Sequence, residues 1–347
     1  QQFRSGAVWI FGALVLSLRF GTSVALSVGN AGSSHGVGRL RSSSGRADAC
    51  AAADAMGDDD DIADDGTTAS VIYPKSGIVF NHLAKCGGSY VKAILNTSLL
   101  NASMVKFELE SHAVTAADKS RFVIGMTRNP FDFYVSFWAF LSQDYAPSRF
   151  RRNLVNVSAG NETFFEDCSK CTRGESEEGK RAFRRFAKQV SDPDVGLLSL
   201  RFWGSYLSVP VKDFGRTKRH WQNAPGVRSY FEEHEAHGTL DLKGRVLGAL
   251  DKFTDPAASV VDCWVATENI NADLTKCLRQ YEALRNDTVV DWAKFREATS
   301  DPCFKRNKSK HAKCSEMYDK ETHDLVAQGD RHILHAFGMP DGCSPEH

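Results

Sequence analysis

The chain has 347 residues, of which 42% are hydrophobic and 25% charged, so it is long enough to bury a core in one large domain or two small ones. Lysine plus arginine and aspartate plus glutamate number 43 each, and this balance gives no charge-based reason to expect nucleic acid or an acidic polymer as a partner. Nine cysteines are typical of an oxidising compartment.

The most apolar stretch of the chain, residues 7–28, lies near its beginning and is interrupted by Arg19. Its uninterrupted part, residues 7–18, has the length of a signal-peptide core, and the whole stretch approaches the roughly 20 residues that span a bilayer. Residues 1–28 are therefore predicted to be a signal anchor or a cleaved signal peptide. Residues 29–70, rich in Gly, Ser, Ala and Asp, are predicted to be a disordered stem.

Strand-like and helix-like segments alternate from about residue 71 onward, which predicts an α/β domain with a mainly parallel sheet flanked by helices. The predicted strands are 78–81, 104–109, 121–127 and 263–266. The predicted helices begin at Ser89 and at Pro130 and cover 175–190, 194–207, 240–253, 271–284 and 316–337, with Gly338 as the last stop signal. In the helix that begins at Pro130, a core-facing stripe is predicted for Tyr134, Phe137, Trp138 and Leu141.

The cysteines and the glycosylation sequons give further predictions. Cys303 and Cys314 bracket a short basic loop and are predicted to form a disulfide, whereas Cys86 is predicted to be a free thiol. A disulfide role is favoured over zinc for Cys168 and Cys171, since no second cysteine pair or suitably spaced histidine pair accompanies them. Sequons for N-glycosylation occur at Asn96, Asn101, Asn156, Asn161, Asn286 and Asn307.

The first of two strand-to-helix junctions, residues 80–89, is suited to an anion. Lys85 supplies positive charge, Gly87 and Gly88 allow a close approach to the backbone, and Ser89 offers a hydroxyl at the start of the helix. The Lys precedes the glycine pair, so the segment is not a Walker A motif. The same residue types also occur in ordinary surface turns.

The second junction places Arg128 directly after a predicted strand and Pro130 in the first turn of the next helix, with Ser136 farther along. A surface Arg and a helix Ser bonded to its own backbone are the alternative. Ligands of open α/β sheets bind at the carboxyl ends of the strands, where both junctions are predicted to lie. Two such cationic junctions indicate one ligand with two separate anionic groups.

The two junctions together resemble motifs of the Golgi-type carbohydrate sulfotransferases. Residues 82–89 are similar to the 5′-phosphosulfate loop of that family, and residues 127–136 are similar to its 3′-phosphate motif. Residues 265–269 resemble its Thr-Glu-Asn segment, and residues 307–311 resemble its Asn-x-Ser-x-His stretch. The resemblance covers about residues 76–338.

The resemblance implies a P-loop-like nucleotide-binding sulfotransferase fold for residues 71–347 and the donor 3′-phosphoadenosine 5′-phosphosulfate. It implies that Lys85 stabilises charge on the oxygen between the departing phosphate and the sulfonyl group. The residues implied to bind the donor are Lys85, Cys86, Gly87, Gly88, Ser89, Arg128, Ser136 and Ser309. Two positions depart from the usual pattern, because Ala84 replaces a Pro and Cys86 replaces the commoner Thr.

Transfer to an alcohol also needs a base, since a hydroxyl is a weak nucleophile at neutral pH. His112 lies between the two motifs, as a His does in related heparan-type sulfotransferases, and the resemblance implies this role for it. Glu108 and Glu110 remain alternatives.

These inferences predict an enzyme of the Golgi lumen, either a single-pass type II membrane protein held by its N-terminal anchor or a secreted protein if that segment is cleaved. It is expected to transfer a sulfonyl group to a hydroxyl of a glycan or glycoconjugate acceptor, without a metal. Two other classes stay open. One is an ATP-dependent small-molecule kinase, and the other is a non-catalytic glycan-binding protein that retains the fold.

Overall fold

A computed structural model describes residues 77–101, 105–109, 120–141, 176–207, 227–236, 241–253, 259–301 and 311–344. The four strands in these ranges are β1 (Ile78–His82), β2 (Val105–Leu109), β3 (Phe122–Thr127) and β4 (Cys263–Ala266). They form one sheet of order β2-β1-β3-β4, and each neighbouring pair is parallel. The predicted α/β class, with a parallel sheet flanked by helices, is therefore confirmed.

The order of the strands changes direction next to β1. The chain runs from β1 outward to β2 and then crosses back to β3 on the other side of β1. The first four residues of β1 and all six residues of β3 are buried, as expected for parallel strands covered on both faces. Ligands of open α/β sheets bind where the strand order reverses, and that point lies between the carboxyl ends of β1 and β3.

The helices of the described ranges are α1 (Gly88–Ser98), α2 (Pro130–Leu141), α3 (Glu177–Val190), α4 (Leu197–Phe202), α5 (Val227–Ala236), α6 (Leu242–Leu250), α7 (Ile270–Arg285), α8 (Trp292–Ser300), α9 (Cys314–Met317), α10 (Lys320–Gly329) and α11 (Arg331–Phe337). A π-helical turn, Trp203–Leu207, continues α4, and a 3-10 turn, Thr267–Asn269, precedes α7. None of these helices is long and apolar enough to cross a membrane. The predicted anchor and stem, residues 1–70, lie outside the described ranges.

The predicted core stripe of α2 is confirmed at Tyr134, Phe137 and Trp138, which are buried, whereas the side chain of Leu141 is not described. Phe137 and Trp138 both pack against Phe186 of α3. These ring contacts pack α2, the helix that follows the second junction, against α3.

The prediction of one continuous helix over 316–337 was wrong. Tyr318 is extended, and Asp319 starts α10 with a reciprocal capping box in which its carboxylate accepts from the backbone N–H of Thr322. A second interruption occurs at Asp330, which leaves helical geometry between α10 and α11. Gly338 ends the region in a left-handed conformation (φ 58°), as predicted.

The disulfide predicted between Cys303 and Cys314 was also wrong, because Cys314 is bonded to Cys343. The chain after Gly338 turns back towards the start of α9, so a cysteine distant in sequence becomes the neighbour in space. A second disulfide, Cys263–Cys277, joins β4 to α7. Cys86 is a buried free thiol, which confirms that prediction. Cys168, Cys171 and Cys303 lie outside the described residues.

Asp330 is a completely buried carboxyl group at the junction of three elements. Its Oδ1 accepts a hydrogen bond of 2.7 Å from the backbone N–H of Ser199 in the first turn of α4. Gly196 leaves room for the carboxylate, since a Cβ there would lie 2.2 Å from it. Burial raises the pKa of Asp330 to about 6.

We expect Asp330 to make folding stability depend on pH. The folded state holds its proton more strongly than the unfolded chain, so the contribution is complete below about pH 4 and is lost as the pH rises through about 6. The loss should approach about 3 kcal/mol. Urea titration between pH 4 and 7 measures how the free energy of unfolding changes with pH. In Asp330→Asn the decrease between pH 4 and 7 should be absent. An unchanged slope would contradict the assignment.

Candidate active site

The candidate site is built where β1 and β3 separate. Their ladder ends at Phe80 and Ile124, and beyond it the hydroxyl of Tyr206 lies between the strands. That hydroxyl accepts from the backbone N–H of Met126 at 2.9 Å and lies 3.1 Å from the carbonyl oxygen of Asn81. One buried side chain therefore satisfies the backbone groups left by the parting strands. The two predicted anion loops leave the sheet on either side of this gap.

The first loop reverses direction through two left-handed residues, Lys85 (φ 65°) and Gly87 (φ 83°). A lysine in this conformation costs about 1–2 kcal/mol relative to a right-handed one, and such strain clusters at functional sites. α1 then begins at Gly88. Within the described part of the chain, the backbone N–H groups of Gly88 and Ser89 and the hydroxyl of Ser89 have no hydrogen-bond partner. These donors and the helix dipole favour an anion.

The glycine pair differs from its predicted role at one position. Position 87 favours glycine because its backbone has a positive φ, which residues with a side chain rarely adopt. At Gly88 an added Cβ would lie 1.8 Å from Cδ2 of His82, so the missing side chain makes room for that imidazole ring. The imidazole ring of His82 thus packs closely against Gly88.

Arg128 joins the two loops directly. Its Nη1 donates a 2.7 Å hydrogen bond to the carbonyl oxygen of Lys85, across the gap between the strands. Its Nε is buried and has no hydrogen-bond partner among the residues that the structure describes. A half-buried guanidinium that is oriented by a backbone carbonyl is a suitable group to hold a phosphate.

The side chain of Lys85 contacts the face of α2 that carries Ser136. The ammonium of Lys85 lies 4.2 Å from the ring centroid of Phe140, a cation–π contact. Ser136 and Phe140 are four residues apart and therefore share a helix face. Ser136 is only 1% exposed, so Arg128 is the more accessible member of the predicted 3′-phosphate pair.

The 3-10 turn after β4 makes hydrogen bonds to both loops. The hydroxyl of Thr267 lies 2.8 Å from the carbonyl oxygen of Cys86 and 3.0 Å from that of Thr127. The carboxylate of Glu268 accepts from the backbone N–H of Asn129 at 2.8 Å. Burial raises the pKa of Glu268, and the hydrogen bond from Asn129 acts in the opposite direction. The contacts of Thr267 and Glu268 therefore hold the two loops in place.

The C-terminal segment covers the start of α2. The side-chain amide of Asn129 donates to the carbonyl oxygens of Pro340 (3.2 Å) and Gly342 (2.9 Å). The backbone N–H of Ser344 donates to the carboxylate of Asp132 at 3.0 Å. Sequence reasoning missed these contacts because nothing in the residue pattern around 340–344 indicates which surface they meet.

His311 is a site residue that sequence reasoning did not single out. It is half-buried, and its Nδ1 lies 2.8 Å from the carbonyl oxygen of Ala312. Burial lowers the pKa of His311, and the positive charges of Arg128 and Lys85 act in the same direction. A neutral imidazole that donates through Nδ1 carries its lone pair on Nε2, which suits it to accept a proton. Its position in the segment 307–311 was the only sequence signal.

Several predicted site residues lie outside the described part of the chain, namely His112, Glu110 and Ser309. Glu108 is paired with Asn81 near the carboxyl end of β2, but its side chain is not described. In the described ranges, no group of three or more His, Cys, Asp or Glu side chains is placed to hold a metal ion.

Comparison of the chain with protein-family models, with curated proteins and with solved structures found no match. The motifs and their geometry are therefore the basis for a functional proposal.

Thr267→Val should loosen the junction between the two loops. The valine keeps the shape but leaves the carbonyl groups of Cys86 and Thr127 without this donor, which should cost about 1–3 kcal/mol in the free energy of unfolding. Urea denaturation measures the loss, with Thr267→Ser as the matched control that keeps the hydroxyl. Equal stability of the valine variant and the wild type would show that the bridge is not made in solution.

Proposed function

We propose that this chain is a lumenal sulfotransferase that moves a sulfonyl group from 3′-phosphoadenosine 5′-phosphosulfate to a hydroxyl of a glycan or glycoconjugate. The observation that carries the proposal is the hydrogen bond from Arg128 to the Lys85 carbonyl at the strand switch point. It ties the side chain of Arg128, in the second loop, to the backbone of Lys85, in the loop that leads into α1. The donor has two separated anionic ends, which corresponds to the two cationic loops.

The residues present fit this donor in two respects. The free backbone donors at Gly88 and Ser89, next to Lys85, suit the 5′-phosphosulfate. The half-buried guanidinium of Arg128 suits the 3′-phosphate. Cys86 is buried, and its carbonyl oxygen is engaged by Thr267, so its contribution to the site is through the backbone.

In the proposed reaction, the acceptor oxygen attacks the sulfur and the bond from sulfur to the bridging phosphate oxygen breaks. Lys85 stabilises the charge that develops on that oxygen. The acceptor hydroxyl releases its proton to a base, for which His112 was the sequence-based choice. His311 is a second candidate, because its neutral imidazole lies within electrostatic reach of both Lys85 and Arg128.

The kinase alternative has less support. A P-loop kinase uses a Lys that follows the glycines and lies within the phosphate-binding loop. In this chain Lys85 precedes Gly87, and its ammonium is directed over Phe140 of α2. The position of Lys85 therefore differs from that of a Walker-type lysine.

Arg128→Ala should weaken binding of adenosine 3′,5′-bisphosphate, the product of the donor, by roughly 10- to 100-fold, as expected for a charge-assisted hydrogen bond. Titration calorimetry on the full chain measures this change. Arg296→Ala, at an exposed arginine of α8, is the matched control and should bind normally. If Arg128→Ala binds as tightly as the wild type, Arg128 does not hold the 3′-phosphate.

Lys85→Met should lower the rate of sulfonyl transfer by roughly 100- to 1000-fold, because it removes the cation near the leaving oxygen while keeping a long side chain over Phe140. Transfer of labelled sulfate to a panel of glycans measures the rate, and Lys85→Arg serves as the charge-conserving control. Undiminished transfer by the methionine variant would remove the catalytic role. Phosphoryl transfer from ATP with Mg²⁺, in place of sulfonyl transfer, would support the kinase.

A further inference from the structure

One sequon of the chain lies in a fully exposed turn. Asn286, Asp287 and Thr288 follow α7, and all three residues are exposed. Asn286 ends the helix in a left-handed conformation (φ 51°), with its backbone N–H bonded to the carbonyl oxygen of Glu282. Among the described residues, the side-chain amide of Asn286 and the hydroxyl of Thr288 have no hydrogen-bond partner. The groups that define the sequon are therefore all available at the surface.

A second sequon provides a contrast. Asn96 lies inside α1, and the hydroxyl of Ser98, the third residue of its sequon, is buried and donates to the carbonyl oxygen of Ile94 at 2.7 Å. Thr97 likewise donates to the carbonyl oxygen of Ala93. This sequon is accessible only before its helix forms, whereas the turn at Asn286 stays accessible after folding.

The position of Asn286 also separates it from the candidate active site. Ile270, at the first turn of α7, is the residue that an added side chain at Gly87 would contact. Asn286 follows the other end of this 16-residue helix, roughly 24 Å away. A glycan at Asn286 would leave the two anion loops open.

The surface beside the turn includes an exposed apolar side chain, which sugars would shield from water. Leu284 is 54% exposed, one of the two large apolar side chains in the described ranges that are so exposed. The neighbouring surface is shallow and is lined by Glu282, Ala283, Asn286, Asp287 and Thr288. Sugars linked to Asn286 would lie close in sequence to the exposed side chain of Leu284.

We propose that Asn286 carries an N-linked glycan. In the transfer, Nδ2 of Asn286 forms a bond with the anomeric carbon of an oligosaccharide carried on a polyprenyl diphosphate. The bond from that carbon to the diphosphate oxygen breaks, the diphosphate leaves with the electron pair, and Nδ2 loses a proton. The proposal requires passage through the secretory lumen, with which the disulfides are consistent, but it does not depend on the sulfotransferase assignment.

Glycopeptide mass spectrometry on the full chain produced in eukaryotic cells tests this proposal. The peptide containing Asn286 should carry a hexose- and N-acetylhexosamine-containing glycan, and digestion with a peptide N-glycosidase should convert Asn286 to Asp. Asn286→Gln should lose one glycan and migrate faster on a gel. Thr288→Ala should have the same effect without altering the left-handed residue, whereas Thr288→Ser should keep the glycan.

An unmodified Asn286 peptide, in chains whose Cys263–Cys277 disulfide has formed, would overturn the proposal. The disulfide shows that those chains have passed through an oxidising compartment. Donor binding by the same preparation is measured separately. A chain that binds adenosine 3′,5′-bisphosphate but lacks the glycan refutes only this inference, and a glycosylated chain that does not bind it refutes only the proposed function.

Discussion

The candidate site depends on hydrogen bonds from side chains to backbone carbonyl groups. Arg128 donates to the carbonyl oxygen of Lys85, and Thr267 lies within hydrogen-bond distance of two further carbonyls, one in each loop. A carbonyl oxygen orients a guanidinium without neutralising it, so the positive charge remains available for a ligand. An ion pair at the same place would fix the geometry but would compete with the ligand for the cation. The loops are therefore tied together in a way that preserves their electrostatic attraction for anions.

The strand order explains why residues about forty positions apart meet. Because β3 returns to the side of β1 opposite β2, the chain leaves β1 and β3 from neighbouring points at the edge of the sheet. The hydroxyl of Tyr206 then keeps these two ends apart without leaving buried backbone groups unsatisfied. The sheet thus determines the separation of the loops, and the 3-10 turn after β4 fixes their relative orientation.

Much of this architecture was predictable, because buried parallel strands have continuous apolar runs with polar residues at their ends. β4 was predicted with its observed bounds, and the stripe on α2 followed from its helical spacing. The interruption at Asp319 could have been found from its capping box, but the one at Asp330 depends on packing against Gly196. Cys343 as the partner of Cys314 could not be predicted, since a disulfide pairing depends on how distant segments fold together.

The disulfide between Cys314 and Cys343 has a consequence for how the protein is handled. It closes a loop of 29 residues and holds the segment whose carbonyl groups engage Asn129, the residue next to Arg128. Thiol reductants in a purification buffer would free that segment and leave the start of α2 less constrained. A preparation that folds well in reducing conditions can therefore still present an impaired anion site, and ligand assays belong in non-reducing buffer.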